Sequence, residues 1–169
     1  MKHEHHYGRL ITSLIACLLP GYVALYLFTT SIPGWYSTLK KPDFVPSDLI
    51  VFYGIILLFC LFGISLYLIW SSGIHRPEAK AAFSLFVFTL TILELWFIAF
   101  FYLEAAFFAF VIIVMVNVLL FCTIAQTLRA AVKPVFFLVP CLILTLIACY
   151  VNLQIVMMNA GIPAWGIVP

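Results

Sequence analysis

Five long apolar runs, separated by short polar links, dominate this chain of 169 residues. Each run is close to the roughly 20 residues that a helix needs to cross a bilayer. Hydrophobic residues make up 66% of the chain and charged residues only 8%, whereas soluble domains carry about 25% charged residues. A water-soluble fold could not hide so much apolar surface. The sequence therefore predicts an all-α membrane protein, a bundle of five transmembrane helices.

The polar links set the expected helix bounds. Prolines and a glycine break the chain between residues 30 and 48, and Glu104 marks a tight turn between two helices. Residues 1–169 are expected to form a single transmembrane domain, with helices at 10–29, 49–70, 81–103, 106–128 and 134–158. The loop between the first two helices is long for so small a protein, and long ordered loops are often functional lids.

The basic residues indicate an orientation. With five spans, Lys40 and Lys41 lie in the long loop, and the other six of the eight lysines and arginines lie on the side of the N-terminus. The positive-inside rule then places the N-terminus in the cytoplasm. We expect an integral multi-pass protein, in the cytoplasmic (inner) membrane.

Glu94 lies near the middle of the third run, and no basic residue lies inside any run to pair with it. A charged side chain at the bilayer centre costs roughly 2.5–3.5 kcal/mol, so the carboxyl is expected to be neutral or to face a polar cavity. Two interpretations stay open, a ligand-binding or proton-linked group and a neutral acid hydrogen-bonded to another helix. Asn152 is interpreted as a residue that joins helices through an interhelical hydrogen bond, or as a partner of Glu94 or of a ligand.

No catalytic constellation accompanies these residues. The chain has no Ser/His/Asp set, no HExxH motif and no glycine-rich phosphate loop, so no catalytic residue is assigned. The five cysteines lie in apolar runs without a CxxC pair, and no metal site and no cofactor are expected. The net charge of +2 is too small to indicate binding to nucleic acid.

Three motifs carry a resemblance. The long loop has the spacing WY-x-x-L-x-KP-x-x-x-P from Trp35 to Pro46, Trp96 precedes Phe100 and Phe101, and a VP pair ending at Pro140 precedes Asn152. This pattern resembles the translocator protein family, also called tryptophan-rich sensory proteins. The resemblance implies five transmembrane helices, a first loop that covers a ligand pocket, and a homodimer. Family members bind porphyrins, haem and sterols.

The chain also departs from the family pattern. Leu93 stands where the family has asparagine, and Cys141 where it has tyrosine. Ile55 and Leu144 replace the tryptophans to which a porphyrin-degrading activity is attributed. The resemblance therefore implies the fold and the pocket more strongly than it implies porphyrin chemistry.

By motif position, the resemblance implies a ligand-binding pocket among the helices beneath the first loop. Its expected residues are Tyr26, Trp35, Pro42, Phe44, Ile55, Phe59, Leu93, Glu94, Trp96, Phe100, Leu144, Ala148 and Asn152.

The expected function is that of a membrane receptor for a hydrophobic ligand such as porphyrin, haem or a sterol, in tetrapyrrole regulation or transport. The alternative is a membrane enzyme acting on a tetrapyrrole or isoprenoid-like substrate, with Glu94 as the general acid or base. A carrier and a ligand-free assembly partner are two further hypotheses, and the absence of a visible inverted repeat disfavours the carrier.

Overall fold

The computed structural model describes residues 2–42 and 45–159, with side chains from Tyr7 onwards. Its helices are α1 (Lys2–Ser31), α2 (Trp35–Thr38), α3 (Asp48–Ser71), α4 (Pro77–Phe97, continued by a π-helical turn Ile98–Tyr102), α5 (Ala106–Ala130) and α6 (Val135–Met158). All but the short α2 are long and apolar enough to cross a membrane. The predicted five-helix membrane bundle is confirmed.

Two helices begin earlier than the sequence predicts. The segment before Leu10 contains no proline, and α1 extends back through it to Lys2. Helix α4 begins at Pro77, four residues before the predicted start, because proline at the first helical position needs no hydrogen-bond donor. Glu78 in the first turn favours this start through the helix dipole.

The turn between α4 and α5 is as tight as predicted. Glu104 has a φ of 55°, in the left-handed region. On either side of it, Leu103 N–H donates to the Ile98 carbonyl at 2.9 Å and Ala105 N–H to the Ala99 carbonyl at 3.0 Å. Helices α4 and α5 therefore form an antiparallel hairpin.

The long helices form a closed ring in which each contacts its two neighbours, in the order α1, α3, α6, α5, α4 and back to α1. Polar pairs join neighbours inside the ring. The hydroxyls of Thr89 and Thr123 lie 2.9 Å apart between α4 and α5, and the Thr145 hydroxyl donates to Asn117 Oδ1 at 2.9 Å between α6 and α5. Many outer side chains are large and apolar, as a lipid-facing surface requires.

Two glycines allow α1 and α3 to approach closely. A Cβ atom on Gly21 would lie 2.7 Å from Phe59 Cγ and 2.9 Å from Phe59 Cβ. A Cβ atom on Gly63 would lie 2.9 Å from Leu14 Cδ2 and 3.3 Å from Leu14 Cα. Small residues at such crossings let helix backbones come together, which is how membrane helices gain packing energy without a hydrophobic driving force.

Candidate ligand-binding cavity

A cavity of about 290 Å³ lies inside the helix ring and is bounded at one end by the loop at 32–47. This volume is near the lower end of the range for small-molecule sites, roughly 300–1,000 Å³. Almost all of the atoms that line it are apolar. Among the described residues the lining comprises Tyr36, Val45, Pro46, Ile50, Val51, Gly54, Ile55, Leu58, Leu93, Trp96, Phe97, Phe100, Phe101, Ile113, Leu144, Thr145, Ile147, Ala148, Val151, Asn152 and Ile155.

The structure brings seven of the predicted site residues together around this cavity. They come from α3, from α4 with its π-helical turn and from α6, which border the cavity from different sides of the ring. They are Ile55, Leu93, Trp96, Phe100, Leu144, Ala148 and Asn152.

Three predicted aromatic residues lie elsewhere. Tyr26 is on the outer face of α1 with 58% of its surface exposed. Phe59 points towards α1, where its ring packs against Gly21. Trp35 is not among the lining residues. Its ring makes an edge-to-face contact with the ring of Phe100, which does line the cavity, at a centroid distance of 5.3 Å.

The two predicted residues of the long loop after Lys41 do not add to the described lining. The Pro42 carbonyl accepts a hydrogen bond from Val45 N–H at 3.0 Å, and Pro42 is not among the lining residues. Phe44 lies outside the described residues.

Glu94 does not join the described lining of the cavity either. Both of its carboxyl oxygens are buried, and neither has a hydrogen-bond partner among the described residues. The expectation that Asn152 holds Glu94 is therefore wrong. Glu94 therefore does not line the cavity, and its predicted roles as a ligand contact or as a general acid or base stay predictions.

Replacing Glu94 with leucine is expected to stabilise the protein. A buried polar group without a partner costs about 1–3 kcal/mol, and an apolar side chain of similar size removes that cost. Thermal unfolding in detergent should therefore occur at a higher temperature in Glu94→Leu than in the wild type, with no change in ligand affinity. A lower unfolding temperature would show that the carboxyl has a partner, and weaker ligand binding would place it at the site.

The polar groups of the cavity wall satisfy one another. Trp96 Nε1–H donates to Asn152 Oδ1 at 3.1 Å, and Asn152 Nδ2–H donates to the Ala106 carbonyl at 3.0 Å. These bonds link α4, α5 and α6 and fix the indole as a flat wall. Because the donors and the acceptor are used inside the protein, the wall presents mainly apolar surface to a ligand.

Aromatic contacts hold the start of the loop against the bundle. The Tyr36 ring is buried between Phe28 of α1 and Phe101 of the π-helical turn, with both centroid distances at 5.7 Å. Lys41 Nζ lies 3.4 Å from the centre of the same ring, a cation–π contact. Burial, with a smaller contribution from the Asp48 carboxylate, raises the pKa of Tyr36 to about 12.

The far end of the chain holds the loop as well. Asn159, which caps the end of α6, accepts a hydrogen bond from Lys40 N–H at 3.1 Å and donates one to the Lys40 carbonyl at 2.9 Å. These residues are separated by 119 positions in the sequence. The loop is thus fixed over the cavity both by its own aromatic residues and by α6.

The lining residues that were not predicted have different origins. Tyr36 and Pro46 belong to the loop motif and could have been chosen from it. On α3, Ile50, Val51 and Leu58 precede or follow Ile55 at helical spacing, but this signal is hidden because α3 is apolar on all sides.

Comparison with known proteins gives a consistent result. The profile of the TspO/MBR family matches residues 13–158. The chain is also 30% identical over 154 residues to the tryptophan-rich protein TspO of Archaeoglobus fulgidus, an alignment that covers 90% of this chain and 97% of that relative. Residues 13–158 contain α1 from Ser13 onwards, the other four long helices in full, and every described residue that lines the cavity. This chain is therefore an integral, multi-pass membrane protein of the TspO/MBR family.

Proposed function

We propose that this protein is a membrane receptor that binds a hydrophobic ligand, such as a porphyrin, haem or a sterol, in the cavity beneath the loop. The observation that carries the proposal is the cavity itself, which is apolar, lies within the helix ring and is covered by a loop held in place at Tyr36 and Lys40. Aromatic walls such as the Trp96 indole suit a flat apolar ligand.

We also propose an orientation and a setting. The excess of lysine and arginine on the N-terminal side favours a cytoplasmic N-terminus, in an inner membrane, with the loop on the opposite face. Ligand binding would then serve tetrapyrrole regulation or transport. The homodimer that the family resemblance implies stays a prediction.

The test is a binding titration of the purified protein in lipid nanodiscs, with protoporphyrin IX and with cholesterol as separate probes. At least one of them should bind saturably, with one site per chain and with quenching of tryptophan fluorescence. Empty nanodiscs of the same lipid serve as the control for partitioning. Uptake of both probes in simple proportion to the lipid, as in the empty discs, would contradict the proposal.

A further inference from the structure

A lysine lies next to the loop end of the cavity. Tyr36, Val45 and Pro46 form this end, and Lys41 Nζ sits 3.4 Å above the ring of Tyr36. One aromatic ring therefore separates the ammonium group from the cavity. A ligand that extends past this ring would meet a positive charge.

The position of Lys41 is fixed by its neighbours. The preceding residue, Lys40, is bound through both of its backbone polar groups to Asn159. The Tyr36 ring below it is wedged between Phe28 and Phe101. Lys41 is thus a positioned charge and not a freely moving surface side chain.

No carboxylate among the described residues forms an ion pair with Lys41. The ion pair found there joins Arg76 to Glu78 at the start of α4, at the opposite end of the bundle. The Asp48 carboxylate acts on Lys41 over a longer distance, and it only opposes the effect of burial, which lowers the pKa of the ammonium. The ring covers one side of the ammonium group, and its remaining N–H groups can still donate to an anion.

The cavity interior, in contrast, has little to offer an ionised group. Its few polar side chains are engaged, with Asn152 bound to Trp96 and Ala106, and the Thr145 hydroxyl bound to Asn117. An ionised group inside would lose its hydration without a replacement. Any charge on a ligand is therefore best placed at the loop end.

We propose that the ligand of this cavity is a carboxylate-bearing amphiphile, whose apolar body fills the cavity and whose carboxylate pairs with the Lys41 ammonium at the loop end. This inference rests on the proposed function and narrows it. Two kinds of compound share this chemistry, porphyrins with propionate side chains and long-chain fatty acids. Neutral sterols lack it.

The test compares acids with their esters, which keep the apolar body and remove the charge. The probes are protoporphyrin IX with its dimethyl ester and palmitate with its methyl ester, titrated into the protein in nanodiscs of zwitterionic lipid. We expect the wild type to bind at least one of the acids about tenfold or more tightly than the matching ester. The pair that shows this preference identifies the source of the carboxylate.

The variants locate the effect. Lys41→Met should remove the preference for the acid over the ester, and Lys41→Arg should retain most of that preference. Lys40→Met is the matched control, because it removes the neighbouring lysine of the same loop and should keep the preference. Circular dichroism and thermal unfolding check that each variant is folded.

Two results would overturn this inference and leave the proposed function standing. One is equal affinity for acids and esters in the wild type. The other is that Lys40→Met and Lys41→Met lose the preference for the acid to the same extent, which would indicate a general attraction of anions to the basic loop. Saturable binding of none of the four probes would instead count against the proposed function, and this inference would fall with it.

Discussion

Gly21→Ala should lower the thermal unfolding temperature of the protein and loosen the contact between α1 and α3. The new Cβ would lie 2.7 Å from Phe59 Cγ and 2.9 Å from Phe59 Cβ, closer than packed carbon atoms approach. Phe59 is 1% exposed and cannot swing away, so the helix backbones must separate. Overpacking of this kind costs about 1–3 kcal/mol. The measurement is thermal unfolding in detergent, followed by fluorescence-detected size-exclusion chromatography.

The control for this substitution lies on the same helix. Gly8 has no atom within 4 Å of the position that its Cβ would occupy. Gly8→Ala should therefore leave the unfolding temperature unchanged or raise it, since alanine is the better helix former by about 1 kcal/mol. If Gly21→Ala proved as stable as Gly8→Ala, the close crossing of α1 and α3 would be wrong.

Ala148→Phe is expected to reduce ligand affinity at least tenfold, equivalent to about 1.4 kcal/mol. Ala148 lines the cavity from α6, so the added ring would project into the space that the ligand needs. Because the ring enters open space and not packed core, the fold should tolerate it. The measurement is the dissociation constant of whichever probe binds the wild type saturably.

Ala125→Phe is the matched control, because Ala125 is exposed on the outer face of α5 and the substitution is identical. It should change neither affinity nor stability. Unchanged binding in Ala148→Phe, in a protein with wild-type stability, would exclude the cavity as the ligand site.

The helices were predictable because the bilayer imposes a strong constraint on sequence. A span must be apolar over about 20 residues, and the polar links that separate the runs mark the ends of the spans. These rules locate the five helices and the turn at Glu104. They do not locate a helix start that lies within a polar link, and so the sequence predicts a start at residue 81 for α4, which begins at Pro77.

The lining of the cavity was harder to predict than the helices. In a soluble helix, polar residues mark the outer face, but lipid is as apolar as a protein interior. Leu144 and Leu146 show the difficulty: they are identical residues two positions apart on α6, and one lines the cavity while the other is exposed on the outer surface. The loop motif and the order of the motifs predict a pocket beneath the loop. The face of each helix that lines this pocket is known only from the structure.

Glu94 shows the same limit for a polar residue. Its position along the chain predicts a costly carboxyl at membrane depth, but not the direction in which it points. The neighbouring Leu93, at which the family pattern has asparagine, does line the cavity, and Glu94 does not. Successive side chains on a helix point in directions about 100° apart. This difference places Leu93 in the cavity lining and the Glu94 carboxyl in a buried position outside the cavity.

The most direct measurement is photolabelling, using a diazirine derivative of the probe that binds saturably, in nanodiscs. Mass spectrometry would then map the modified residues. If the ligand occupies the cavity, adducts will form on lining residues such as Ile55, Leu93 and Ala148, and excess unlabelled probe will abolish them. Adducts confined to lipid-facing side chains such as Phe88 and Leu146, and insensitive to unlabelled probe, would contradict a ligand site beneath the loop.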